Sequence, residues 1–219
     1  MRFDHDLSGG GRRARETRRV AINGTRAHEA EDGLPPLVHA AVAAAVRRNF
    51  AFSCLPSHGR LLKVLAAGVG SGLIGETGTG CGVGLAWLAS GACPEARLVS
   101  IERDAELAAL AQELFAEVSA VTVVHGDWSQ LQRYGPFHLL ALDGGGQGKG
   151  SEPPLEPAGW LNQGGVVVLD DFTPMTDWPP TYDGHVDQAR LHWLRHPNLL
   201  ATEIRTEPGA ATVLASFTG

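Results

Sequence analysis

The sequence predicts an α/β fold: a doubly wound, mostly parallel sheet of seven strands. Three observations carry this reading. From residue 73 onward, short apolar strand-like runs alternate with stretches of helical period, the pattern of βαβ crossovers around a parallel sheet. The runs 139–142 and 166–169 are continuously apolar, as strands buried on both faces are. The last two strand-like segments, 199–205 and 211–217, are joined by Pro208-Gly209, so they pair antiparallel.

The elements follow in order. Residues 1–33 stand apart, with Gly9-Gly10-Gly11 followed by Arg12, Arg13, Arg15, Arg18 and Arg19. Seven arginines against six acids give this segment a net +1 in a chain of net −6, leaving −7 for residues 34–219. It reads as a polar, Arg-rich N-terminal arm ahead of one domain spanning 34–219: a loosely packed tail, or an arm on a partner subunit or over the site. A helix enters at Pro35-Pro36 and closes at Arg47-Arg48. Ser57 opens a second helix, with Leu61, Leu62, Val64 and Leu65 as its apolar face. Residues 73–76 form a strand, 82–88 begin a helix, and 97–102 form a strand. Residues 105–118 are helical, with apolar positions at 107, 110, 111, 114 and 115. Strands at 121–124 and 137–142 come next. A helical segment at 157–161 is stopped by Gly164-Gly165 before a strand at 166–169. A helix at 188–195 and the two closing strands complete the chain.

Composition narrows the function classes. Apolar residues are 43 % and charged residues 19 %, enough for a core. No window reaches the ~18 consecutive apolar residues of a membrane span. Residues 1–33 have no apolar stretch of the secretory kind. The net −6 argues against nucleic-acid binding through bulk charge, although the arginines at the start keep RNA open. Cys54, Cys81 and Cys93 are odd in number and form no CxxC, against a disulfide framework or structural zinc; a cytoplasmic setting is expected.

The chemistry concentrates at strand ends. Glu76-Thr77-Gly78-Thr79-Gly80-Cys81-Gly82-Val83-Gly84 follows a strand and opens a helix, and its glycines let the backbone turn sharply against a ligand. A dinucleotide fingerprint needs glycine at 83, where valine stands, and a P-loop needs a lysine that is absent here. The turn therefore suits a ligand presenting a ribose and an amino-acid end better than a pyrophosphate. The next strand ends at Glu102, followed by Arg103; a carboxylate there accepts from both vicinal ribose hydroxyls. The third ends in His125-Gly126-Asp127-Trp128, an Asp that can accept from an adenine amino group and a Trp that can pack on its ring. The fourth ends in Asp143-Gly144-Gly145-Gly146 and the fifth in Asp170-Asp171.

On these residues the chain, over roughly 35–219, resembles the class I S-adenosylmethionine-dependent methyltransferases, in particular the small catechol-type O-methyltransferases. It is also similar to bacterial methyltransferases with an acid followed by three glycines. The resemblance implies the Rossmann-like methyltransferase fold, with strand order 3-2-1-4-5-7-6. It implies S-adenosylmethionine bound by Glu76, Thr77, Gly78, Thr79, Gly80, Gly82, Glu102, Arg103, Gly126, Asp127, Trp128 and Asp143. It implies a divalent metal such as Mg²⁺ on Asp143, Asp170 and Asp171, a small-molecule oxygen as methyl acceptor, and a homodimer. Adjacent residues of a regular strand point to opposite faces, so Asp170 and Asp171 can share a metal only where the chain leaves strand geometry. Strand-end aspartates equally serve as caps.

The chain departs from the family at the base: catechol-type members carry lysine three residues after the first metal Asp, where Gly146 stands. Lys149, six residues on, is a base, an anion binder or a solvated side chain, and His58 and His185 are rival bases. Asp143, Lys149 and His185 are the catalytic candidates. His192 and His196 have metal-compatible i, i+4 spacing without a third ligand. Trp178 and Tyr182 are expected at a substrate wall, and Trp160 in the core. Two other classes stay open: a nicotinamide-dependent oxidoreductase, disfavoured by Val83, and a cofactor-binding regulator without activity, suggested by Gly146.

Overall fold

A computed structural model describes residues 23–219. Helix α1 spans Gly24–Glu29, α2 Pro36–Arg47, α3 Pro56–Gly68, α4 Val83–Gly91, α5 Ala105–Leu114 and α6 Gln188–Arg195. Strands are β1 Leu73–Thr77, β2 Arg97–Glu102, β3 Val121–His125, β4 Phe137–Leu142, β5 Leu161–Phe172, β6 Thr181–Tyr182, β7 His185–Val186, β8 Leu199–Glu207 and β9 Ala210–Phe217. The main sheet runs β3-β2-β1-β4-β5-β9-β8. Its neighbours from β3 to β5 are parallel, and β9 is antiparallel to both β5 and β8. This is the expected order, with the last strand reversed.

The sheet is buried on both faces, which explains the unbroken apolar runs. Ile74, Leu98, Leu139 and Val168 pack with residues of α2, α3 and α4 on one face. Val99, Leu140, Leu142, Val167 and Leu169 pack with Trp160 and Trp193 on the other. Two glycines set the approach of α3 to α4. A Cβ at Gly59 would lie 2.2 Å from the Trp87 indole, and one at Gly91 would lie 2.1 Å from the Lys63 carbonyl.

Several expectations are corrected. The helix from 105 ends at Leu114, and α4 begins at Val83, with Gly82 at φ +86 before it. The helix expected at 157–161 is a 3₁₀ turn at Pro157–Gly159, and β5 already begins at Leu161. Gly164-Gly165 lies inside that strand. Phe137 faces Leu161 while Leu139 faces Val166, so the glycines, with Gly164 at φ +77, form a bulge. The hairpin β6–β7 has no apolar alternation to announce it.

Most of the expected N-terminal arm, residues 1–22, lies outside the described residues, but α1 belongs to its last part and is packed. Thr25 Oγ1 lies 2.6 Å from the Phe50 carbonyl, to which it donates, and 2.8 Å from Ser53 Oγ. His28 is buried: its Nδ1 donates to the Gly24 carbonyl at 2.9 Å, and its Nε2 accepts from Trp87 Nε1 at 3.0 Å. That pair of bonds requires the neutral ring, in keeping with a pKa lowered first by burial. No described helix is long and apolar enough to cross a membrane.

Candidate active site

The glycine turn follows β1. Gly78, Gly80 and Gly82 have φ of +84, +54 and +86, a region that side chains resist. Gly78 meets the loop after β4 directly: a Cβ on it would stand 2.5 Å from Gly144 Cα, and one on Gly144 would stand 2.3 Å from Gly78 Cα. Main-chain bonds tie the two loops. Asp143 N and Gly144 N donate to the Thr77 carbonyl at 3.1 and 2.7 Å, and Thr77 Oγ1 donates to the Gly145 carbonyl at 3.0 Å.

Glu76 lies under this turn, 3 % exposed. Ser100 Oγ donates to it at 2.5 Å and is itself 2.6 Å from Thr79 Oγ1. Burial raises its pKa to about 8, with the Glu102 charge adding and the Ser100 bond opposing. A side chain at Gly84 would collide with its Oε1, 2.6 Å away.

Glu102 ends β2 and spans the turn. Its Oε2 accepts from Gly80 N at 2.8 Å and its Oε1 from Asp104 N at 2.8 Å. Each carboxylate oxygen accepts more than one bond, so capacity remains for two hydroxyls. Gly126 follows β3; its N–H donates to the Glu102 carbonyl at 2.8 Å. Asp127 Oδ1 accepts from Ser129 N at 3.0 Å and Ser129 Oγ at 2.5 Å, which lowers its pKa; exposed Arg103 adds a smaller pull the same way. Its Oδ2 takes no part in those bonds. Trp128 stacks on Trp160 with centroids 5.8 Å apart and lies against Gly145, where a Cβ would be 2.4 Å from the indole.

Beyond this cleft lie the carboxylates. Asp143 is held well above the ordinary range, first by burial and then by the charges of Asp171, Asp170 and Glu76. Asp171 is raised by desolvation and by Asp170. As the metal reading requires, the chain leaves strand geometry here: Asp171 has φ +63, and the β5–β9 register shifts between Leu169 and Phe172. The donors nevertheless do not fit a metal. Among the described residues no three His, Cys, Asp or Glu side chains converge on one point. Asp170 Oδ1 is engaged by His58 Nδ1 at 3.2 Å and Thr212 Oγ1 at 3.4 Å. Lys149 Nζ donates to the carbonyls of Asp170 and Asp171 at 2.6 and 3.0 Å.

A cavity of about 580 Å³ opens beside them, lined in part by Lys149, Asp171, Phe172, Tyr182, His185 and Arg190. Tyr182 and His185 line this cavity, whereas Trp178 is half-exposed under Arg195, and His58 is buried on Thr212 and Asp170. Sequence reasoning passed over Phe172 and Arg190. The Arg190 guanidinium lies 4.8 Å from the Phe172 ring and bonds Asp187, Glu203 and the Thr173 carbonyl. Its burial on a short polar helix has no signature in the chain.

A methyltransferase-domain family model matches residues 76–172, the stretch holding every strand end described above. Residues 76–172 thus match a methyltransferase domain, set within a sheet of the Rossmann-like methyltransferase order. Solved structures with the same fold include Rv0187 from MTB, solved with cofactor bound (23 % identity, 86 % of this chain and 92 % of that one, TM-score 0.67). The O-methyltransferase TomG of Streptomyces achromogenes, involved in tomaymycin synthesis and solved with SAM, is 23 % identical over 93 % of this chain and 99 % of its own, with TM-score 0.66. An O-methyltransferase of Bacillus cereus, solved with SAH, is 17 % identical over 92 % and 100 %, with TM-score 0.66. At these identities the likeness is one of fold. No curated protein matches this chain in sequence.

Proposed function

We propose that the protein is an S-adenosylmethionine-dependent methyltransferase that methylates an oxygen of a small molecule bound in the 580 Å³ cavity. The observation that carries this is Glu102, whose two oxygens straddle the Gly80 amide and the Asp104 amide at the mouth of the glycine turn. A carboxylate so fixed is set to receive paired ribose hydroxyls. The open Oδ2 of Asp127 suits the adenine amino group, with Gly126 and Trp128 beside it. Thr77, Thr79 and the glycines at 78, 80 and 82 run along the methionine portion, and the two loops around it close on each other at Gly78 and Gly144, where a Cβ on either would meet the other's backbone.

When bound, the sulfonium supplies an activated methyl group that passes to the acceptor oxygen, the bonding pair staying on sulfur. The chain's own part is placement. Lys149 orients the acceptor oxygen, and Asp171, its carboxyl raised beside the cavity, takes the hydroxyl proton. Asp143 is buried within the electrostatic reach of Glu76, Asp171 and Lys149, and His185 lines the cavity from the β6–β7 hairpin. The cavity volume suits a drug-sized acceptor, as TomG's role in tomaymycin synthesis also suggests.

Calorimetry with S-adenosylhomocysteine tests the cofactor. The wild type should bind it, and Glu102→Ala should bind at least about tenfold more weakly, the loss expected of charge-assisted hydrogen bonds. No heat from the wild type with either S-adenosylmethionine or its product, or unchanged affinity in Glu102→Ala, overturns the assignment.

A further inference from the structure

We propose that the Lys149 ammonium is the fixed cation of the acceptor site, standing where the family resemblance expects a divalent metal. The inference rests on reading the 580 Å³ cavity as the acceptor site. Lys149 Nζ is held by the main-chain oxygens of Asp170 and Asp171, two of the three expected ligands, at 2.6 and 3.0 Å. It lies 4.0 Å from the Phe172 ring centroid, which favours a cation. The loop that delivers it is anchored: Trp193 Nε1, fully buried, donates to the Gln147 carbonyl at 2.8 Å, and Gly148 and Gly150, at φ +81 and +72, flank the lysine. An ammonium has three N–H donors. Two are used on the carbonyls, and the third is left for an acceptor oxygen in the cavity, the service a metal would otherwise give.

The same arrangement opposes a metal. A divalent ion among Asp143, Asp170 and Asp171 would meet the ammonium charge at the backbone of two of its ligands. It would also have to draw Asp170 Oδ1 away from His58 and Thr212. The positive charge that three neighbouring carboxylates call for is built into the chain.

Mn²⁺ binding, followed by the electron paramagnetic resonance signal of the free ion, tests this without reference to turnover. The wild type should leave the signal undiminished, with or without S-adenosylhomocysteine. Lys149→Met, which keeps an unbranched side chain one atom shorter and removes the charge, should bind Mn²⁺ at least tenfold more tightly than the wild type. Lys149→Arg, which keeps the charge, should behave as the wild type does and controls for folding. Mn²⁺ binding by the wild type that Asp171→Asn abolishes overturns the proposal, and so does a folded Lys149→Met protein with no gain. S-adenosylhomocysteine affinity in the same samples reports separately on the methyl-transfer reading.

Discussion

Replacing Glu76 by glutamine should change how stability depends on pH, and the size of the change follows from burial. The Glu76 carboxyl has a folded-state pKa of about 8 against 4.5 in the unfolded chain. Below 4.5 both states hold the proton. Between 4.5 and about 8 the unfolded chain releases it and the folded chain keeps it, so unfolding is increasingly favoured as pH rises. At about 1.36 kcal/mol per pH unit, the full effect above pH 8 is on the order of 5 kcal/mol. Glutamine keeps an acceptor for Ser100 Oγ, fits the space left by Gly84 and does not titrate. Urea unfolding of both proteins from about pH 5 to about pH 8 should therefore show the stability difference swinging towards Glu76→Gln by several kcal/mol. A difference that stays flat across that range would refute the claim that burial holds this carboxyl neutral.

Two alanine scans separate backbone strain from collision. Gly33, at φ +73, has nothing within 4 Å of an added Cβ, so Gly33→Ala should cost only the left-handed penalty of about 1 kcal/mol. Gly78, at φ +84, adds contact with Gly144 at 2.5 Å, so Gly78→Ala should cost at least about 2 kcal/mol more and weaken cofactor binding; equal losses in thermal unfolding would contradict the crossing of the two loops. Asp104 caps α5 through Oδ1, accepting from Glu106 N and Leu107 N at 2.9 and 3.0 Å, and Asp104→Ala should cost about 1 kcal/mol, read from the denaturant midpoint.

The sheet was legible because its signals are local: apolar runs on strands buried on both faces, and acids at their ends. Glu102 could be picked out by position alone, since the end of the second strand lies beside the turn after the first in any parallel sheet of this order. What failed had causes outside the local pattern. A glycine pair stops a helix or makes a bulge with equal local logic, and only the pairing of β4 with β5 decides it at 164–165. Helix α1 is polar by composition, yet its Thr25 and His28 are buried by Phe50, Ser53 and Trp87, which lie 25 to 59 positions away in the chain. Lys149 sits in a glycine-rich stretch without period, and its place is fixed from outside by Trp193.

The run Gly144-Gly145-Gly146 invites an explanation by flexibility, but the contacts argue for the opposite. Gly144 is glycine because Gly78 Cα occupies the room for its side chain, and Gly145 because the Trp128 indole does. Gly146 has φ +79, and its carbonyl accepts from Leu155 N at 2.9 Å. All three are tightly bounded, and the Thr77 carbonyl receives the two amides that begin the loop. The glycine turn after β1 and the loop leading to Lys149 are therefore registered to each other by main-chain bonds and by the absence of Cβ atoms. Such registration suits in-line transfer between two ligands, where a displacement of about 1 Å is costly. It also explains how a lysine six residues beyond Asp143 can be held as firmly as one on a regular element. The chain between them is pinned at Gly144 by Thr77, at Gly146 by Leu155 and at Gln147 by Trp193, leaving Gly148 to make the final turn.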